Sequence, residues 1–301
     1  MTIDGLLALH TYRTSRTGRV PLVLLHGYPV DHRMWDDVVD LLPGDRTVVA
    51  PDLPGLGVSP SGQDVAAALG RPAEPSLETA ADAVAATLRA AGIDRAVVAG
   101  LSMGGYVAMA LVERHPDLVA GLGLLDTKST ADDAGARANR LRVAAAVQAD
   151  ATVDAVLGMR RALLGETSLV QEPDLVDRLE RWIRSQGPGG IAWSQRAMAV
   201  RPDRTDVLAG FGGPALVVIG AEDTVTPLAA AQHLVGALPQ AELVVVPRAG
   251  HLTSVENPEP VAAALDALAL RVDDADRAPG SSGAGPSEPV PSEPAPSEPV
   301  V

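Results

Sequence analysis

Ala96-Val97-Val98-Ala99-Gly100-Leu101-Ser102-Met103-Gly104-Gly105-Tyr106 is the stretch on which the reading of this chain turns. An apolar run of strand type enters it, and a helical pattern leaves it as far as Arg114. Between the two stands a serine with a glycine two positions before it and another two positions after it. A serine on so sharp a strand-to-helix turn needs small neighbours at both places, because strand and helix otherwise collide. The turn predicts a Ser102 hydroxyl lifted clear of the sheet. The first amides of the following helix, Met103 foremost, would then face any negative charge that develops beside it. The bare pattern is common, and its strand-turn-helix setting is what makes Ser102 a candidate nucleophile.

On both sides of this elbow, short apolar runs alternate with helical patterns, which predicts a mostly parallel sheet with helices on both faces. Buried strands are expected at residues 20–26, 47–51, 96–100, 119–126, 215–220 and 241–246, with a short edge hairpin at 5–10. Helices are expected near 34–42, 76–91, 104–114, 227–238 and 258–270; Ser76 opens the second, and Pro227 takes the first position of the fourth. From Thr127 to about Asp203 only helical patterns occur. An all-helical insertion after a strand that ends at the active-site edge predicts a cap over that edge, where substrate choice would reside. The expected organisation is a core over 1–126, a helical cap over 127–203 and a second part of the core over 204–272. Over 273–301, Asp, Gly, Ser and three copies of a Pro-Ser-Glu-Pro unit predict a disordered tail.

His26-Gly27-Tyr28-Pro29 closes the strand expected at 20–26. An acyl-transfer site needs a second backbone donor for its oxyanion from a loop of this kind, and the Tyr28 amide is placed to give it. The bland alternative is an ordinary Gly-Pro turn, with His26 bonded inside the loop. Asp52-Leu53-Pro54-Gly55-Leu56-Gly57-Val58-Ser59 adds a Gly-rich turn after the next strand. With these motifs, residues 5–271 resemble the α/β-hydrolase superfamily, and within it the small cap-bearing esterases, lactonases and cofactor-free haloperoxidase-like perhydrolases.

The resemblance implies the α/β-hydrolase fold, and it implies a histidine in the loop after the last strand. His251, following Leu243 to Gly250, stands there. A carboxylate is needed close to that loop at a strand end, to orient the imidazole. Asp223 fits, in a segment from Gly220 to Pro227 that looks like the superfamily's acid loop. Glu222 is its nearest competitor, and Asp126, at the end of the strand before the insertion, is the position some relatives use. The order Ser102, Asp223, His251 is the triad order of this fold. Aromatic residues make up only 2% of the chain, so Tyr28, Trp35, Tyr106, Trp182 and Trp193, with Met103, are the candidates for a substrate cleft. Trp182 and Trp193 lie in the insertion and either line the cavity or pin the cap.

The 301 residues include no cysteine, which removes disulfides, thiol nucleophiles and thiolate metal sites. A formal net charge of -14 speaks against nucleic acid as a partner, since phosphate binding needs clustered Lys and Arg. No stretch approaches the ~18 uncharged apolar residues of a membrane span. Met1-Thr2-Ile3-Asp4-Gly5 lacks the basic start of a signal peptide, so a cytoplasmic protein without membrane attachment is expected. Neither a metal-binding HExxH pattern nor a phosphate-binding Gly-rich loop occurs, so no metal and no cofactor is expected. Serine at 102 disfavours epoxide opening and halide displacement, which need a carboxylate nucleophile. The expectation is a hydrolase acting on a small-molecule carboxylic ester or lactone through an acyl-enzyme on Ser102. Perhydrolysis, C–C bond hydrolysis and cyanohydrin cleavage use the same three residues, and a ligand-binding receptor on this fold is the non-enzymatic alternative. The acyl group, the leaving group and the oligomeric state have no signature in the sequence.

Overall fold

A computed structural model describes residues 6–277. Its strands are β1 (Leu9–Arg13), β2 (Leu22–Leu25), β3 (Val48–Pro51), β4 (Ala96–Leu101), β5 (Val119–Leu125), β6 (Ala215–Gly220) and β7 (Ala241–Val246). They form one seven-stranded sheet in the order β1-β3-β2-β4-β5-β6-β7. β1 runs antiparallel to β3, and the other pairings are parallel. Every residue of β2, β4, β5 and β6 is buried, as continuous apolar runs require when both faces of a parallel sheet are covered.

Two strand expectations change. In place of the hairpin expected at 5–10, the described residues from 6 on form the single strand β1, whose ladder partner is the distant Val48–Pro51. β7 is not a buried strand, because it is the outer edge of the sheet and leaves Glu242, Leu243 and Val245 exposed. Its run of valines reads the same at an edge as in the centre, since position in the sheet is set by partners far away in sequence.

Before β5 come α1 (Asp36–Leu41), α2 (Gly62–Ala68), α3 (Leu77–Ala90) and α4 (Met103–Arg114). Ser76 caps α3, its hydroxyl accepting the Thr79 amide at 3.1 Å, a contact that contributes about 1 kcal/mol to a helix of this kind. Between β5 and β6 lie only helices: α5 (Ala134–Asp150), α6 (Met159–Ala162), α7 (Glu166–Gln171), α8 (Asp174–Arg184), α9 (Pro188–Ala199) and α10 (Thr205–Ala209), with one short 3₁₀ turn. α8 buries Leu175, Leu179 and Ile183, a four-residue spacing that puts them on one face. Gln186, just beyond it, ties the insertion to the core: its amide group donates to Asp31 at 2.7 Å, and its carbonyl accepts the Gly57 amide at 2.8 Å.

α11 (Leu228–Ala237), α12 (Thr253–Glu256) and α13 (Pro258–Arg277) follow. α13 runs past the end expected for it, so Asp273, Asp274 and Asp276 are helical and do not open a tail. The reason lies in their partners. Asp273 is buried and accepts from Arg46 at 2.8 Å and from the Val20 amide at 3.3 Å, while Asp276 takes Arg95 at 2.9 Å. The rest of the predicted tail, 278–301, lies outside the described residues. No helix among the described residues is long and apolar enough to cross a membrane.

Candidate active site

Ser102 joins β4 to α4 with φ 53° and ψ −111°, a left-handed backbone that costs a non-glycine residue roughly 1–3 kcal/mol. The surroundings impose it. The Ser102 amide donates to Leu125 O at 2.8 Å, and its carbonyl accepts the Thr127 hydroxyl at 2.8 Å. Glycine is obligatory on both sides of the turn: a Cβ on Gly100 would overlap the Gly104 carbonyl, and one on Gly104 would overlap Leu25 O and lie 2.8 Å from His26 O. The start of α4 is thereby seated on the end of β2, and Ser102 is left half-buried above it.

β6 and β7 deliver the other two residues. His251 Nε2 lies 2.8 Å from Ser102 Oγ, and His251 Nδ1 lies 2.8 Å from Asp223 Oδ2. Asp223 Oδ1 accepts the Val225 and Thr226 amides, each at 2.8 Å, which fixes the carboxylate plane. A carboxylate facing Nδ1 places the ring proton there, so Nε2 offers its lone pair to the serine hydroxyl. The three residues from separate strand ends therefore form one hydrogen-bonded line.

The competing carboxylates face elsewhere. Glu222 accepts from the Thr167 amide at 2.8 Å and from the Thr167 hydroxyl. Asp126 takes the Gly220 amide at 3.0 Å and the Thr253 hydroxyl at 2.6 Å. Complete burial, and then the charge of Asp223 nearby, push the Asp126 carboxyl well above the usual range.

Met103 follows the serine directly, and the loop that carries Tyr28 lies against it. The Gly27 Cβ position is 3.6 Å from Ser102 Cβ, so the loop carrying Tyr28 abuts the elbow. Met103 is the first residue of α4, where an amide has no intrahelical acceptor. Among the described residues neither amide has a backbone acceptor outside the regular ladders. His26 braces this loop: its Nδ1 pairs with Gly27 O at 2.9 Å, and Leu53 N donates to its Nε2 at 2.8 Å. Burial lowers the His26 pKa and keeps the ring neutral, as an imidazole accepting from one amide must be.

The tryptophans hold the insertion in place. Trp193 packs against the Gly62 backbone at the start of α2 and borders a 330 Å³ cavity with Gly55 and Gly190. The guanidinium groups of Arg33 and Arg178 lie over the Trp182 ring, 5.9 and 5.1 Å from its centre. These contacts pin the insertion against the core. Thr127, whose hydroxyl holds the elbow, escaped the sequence reading, since nothing local marks a contact that the register of β4 and β5 creates.

One group among the described residues could bring metal ligands together: His10, His32 and Asp52, with ligand atoms within 4.8 Å of one another. Their arrangement is structural. The two rings stack at 3.3 Å and 11°, and each aims a nitrogen at its own oxygen of Asp52, at 2.9 and 2.8 Å, so the nitrogens run side by side and do not converge.

Residues 20–258 match the family described as alpha/beta hydrolase fold. The chain belongs to this family. Among relatives of this hydrolase, a pimeloyl-[acyl-carrier protein] methyl ester esterase of Aromatoleum aromaticum is 30% identical over 82% of the chain and 97% of its own length. A dihydrolipoyllysine-residue acetyltransferase component of the acetoin cleaving system from Pseudomonas putida is 32% identical over 84% of the chain, which spans 64% of that longer protein. Of solved structures, a thermophilic esterase from Thermogutta terrifontis superposes with a TM-score of 0.80 at 33% identity, covering 88% of this chain and 93% of that one.

Proposed function

We propose that this hydrolase cleaves a small carboxylic ester or lactone through an acyl-enzyme on Ser102. The observation that carries the reading is the unbroken line from Ser102 Oγ through His251 to Asp223, at 2.8 Å for each link. Ser102 Oγ attacks the carbonyl carbon as its proton passes to His251 Nε2. The Tyr28 and Met103 amides hold the oxyanion, and Asp223 stabilises the imidazolium. His251 then protonates the leaving alkoxide as the C–O bond breaks, which in a lactone stays attached to the acyl chain. Water adds to the acyl-enzyme with His251 again taking the proton, and collapse releases the acid and returns the proton to Ser102. The esterase relatives favour ester carbonyls, and the serine nucleophile suits them.

The test is a hydrolysis panel of aryl esters of rising acyl length together with small lactones, with Ser102→Ala as the blank. Turnover is expected to fall by at least ~10³-fold in the variant. Unchanged turnover would remove Ser102 from the reaction.

A further inference from the structure

Glu256 ends α12, in the turn that leads from His251 toward α13, and has no part in the chemistry proposed above. Its side chain is buried and accepts four hydrogen bonds. Oε1 takes the amides of Gly250 at 2.9 Å and Leu252 at 3.1 Å, the two neighbours of His251. Oε2 takes the Gly165 amide and the Ser168 hydroxyl, each at 2.7 Å, both from the inserted helices. The amide between the first two, His251 N, donates to Leu163 O of the same insertion at 3.0 Å. Three consecutive amides of the histidine loop are thus tied down by one carboxylate oxygen and one carbonyl. Gly165 and Gly250 make this possible by meeting backbone to backbone, since a Cβ on Gly165 would lie 2.8 Å from Gly250 N.

An imidazole on a loop goes where its backbone sends it. The two peptide planes that flank His251 carry the His251 and Leu252 amides, held by Leu163 O and by Glu256 Oε1, and the Gly250 amide holds the plane before them; together they set the reach of Nε2 to Ser102 and of Nδ1 to Asp223. Three of the four donors to Glu256 are backbone amides, which can only donate, so both oxygens must accept, as an ionised carboxylate does and a carboxamide does not. Burial raises the Glu256 pKa, and the bonds from Gly165, Ser168, Gly250 and Leu252 oppose that in part.

Resting on the triad reading, we propose that Glu256 is a positioning residue for His251, clamping the amides of residues 250 and 252 and joining the base to the inserted segment 163–168. Glu256→Gln keeps the shape but turns one acceptor into a donor that faces other donors.

With p-nitrophenyl acetate as substrate, this variant is expected to lose kcat by ~10–100-fold, the scale of a small misplacement of a reacting group, with KM within about twofold. The downfield proton resonance of the His251–Asp223 bond should weaken or shift with it. Ser168→Ala cuts only the bond on the insertion side and is expected to keep kcat within about twofold. Should Glu256→Gln not fold, Glu256→Asp, which keeps the charge and withdraws it by one methylene, is measured for the same loss of kcat.

Wild-type kcat with an unmoved proton resonance in the Glu256 variant overturns the proposal, as does an equal loss in Ser168→Ala, which would mean that the carboxylate merely seats the inserted helices. Ser102→Ala is run alongside. Unchanged turnover there would indict the triad reading itself, whereas a strongly impaired Ser102→Ala with an unimpaired Glu256→Gln would indict only Glu256.

Discussion

Asp223 and Asp126 follow neighbouring strands and differ in what their oxygens meet. Asp223 gives one oxygen to His251 Nδ1 and the other to two backbone amides, while Asp126 spends both on Gly220 and Thr253. Asp223→Asn would offer His251 a donor where it has an acceptor and favour the wrong tautomer, so kcat is expected to fall by ~10³–10⁴-fold. Asp126→Asn should cost far less, and steady-state kinetics of the pair decides; the reverse ranking would move the acid to the end of β5. At this scale much was legible. Ser102, Asp223 and His251 each follow an apolar run at a strand end; local pattern marked the first, and the resemblance to a known superfamily, with chain order, singled out the other two as its partners in the hydrogen-bonded line. Thr127 and Glu256 were not, because their partners lie on other elements and only the folded register brings them close.

Among the elements, α13 shows where composition misleads. Asp273 to Asp276 read as the start of a solvated run, since acids clustered before a Gly- and Ser-rich segment usually are one. Helical spacing instead turns Asp273 inward onto Arg46, with side chains 3% and 4% exposed. Asp273→Ala would leave Arg46 buried without its partner and is expected to destabilise the protein by roughly 3–5 kcal/mol, read from urea unfolding. A loss below about 1 kcal/mol would return these residues to the class of exposed pairs. The parallel strands were the easiest elements to read, because burial on both faces makes them continuous apolar runs. Edges were the hardest. β1 was placed close to its position but given the wrong partner, and β7 was taken as interior, since nothing within a strand says whether another lies beyond it.

Across the whole molecule, the insertion is fastened to the core by charge, as where Arg178 meets Asp37 at 2.8 Å, and by close backbone contact. Its own two ends are tied together by Asp132, which gathers Lys128 at 3.3 Å, Arg201 at 2.8 Å and Arg140 around one carboxylate. Burial alone would raise its pKa; the bonds from Arg201 and Arg140 outweigh that and hold it well below the ordinary 3.8. A carboxylate depressed in the folded state contributes stability that is present above its unfolded pKa and is lost as pH falls through the folded value. Unfolding midpoints measured downward from pH 4 should therefore drop more steeply in the wild type than in Asp132→Asn, and equal slopes would contradict this.

The convergence of the ends of β4, β6 and β7 on one nucleophile is likewise a property of the entire sheet, and covalent trapping tests it most directly. Mass spectrometry after treatment with a fluorophosphonate is predicted to find one adduct on the peptide carrying Ser102, strongly reduced in His251→Ala. An unmodified Ser102 in protein that still hydrolyses esters, or labelling unaffected by loss of His251, would contradict the account.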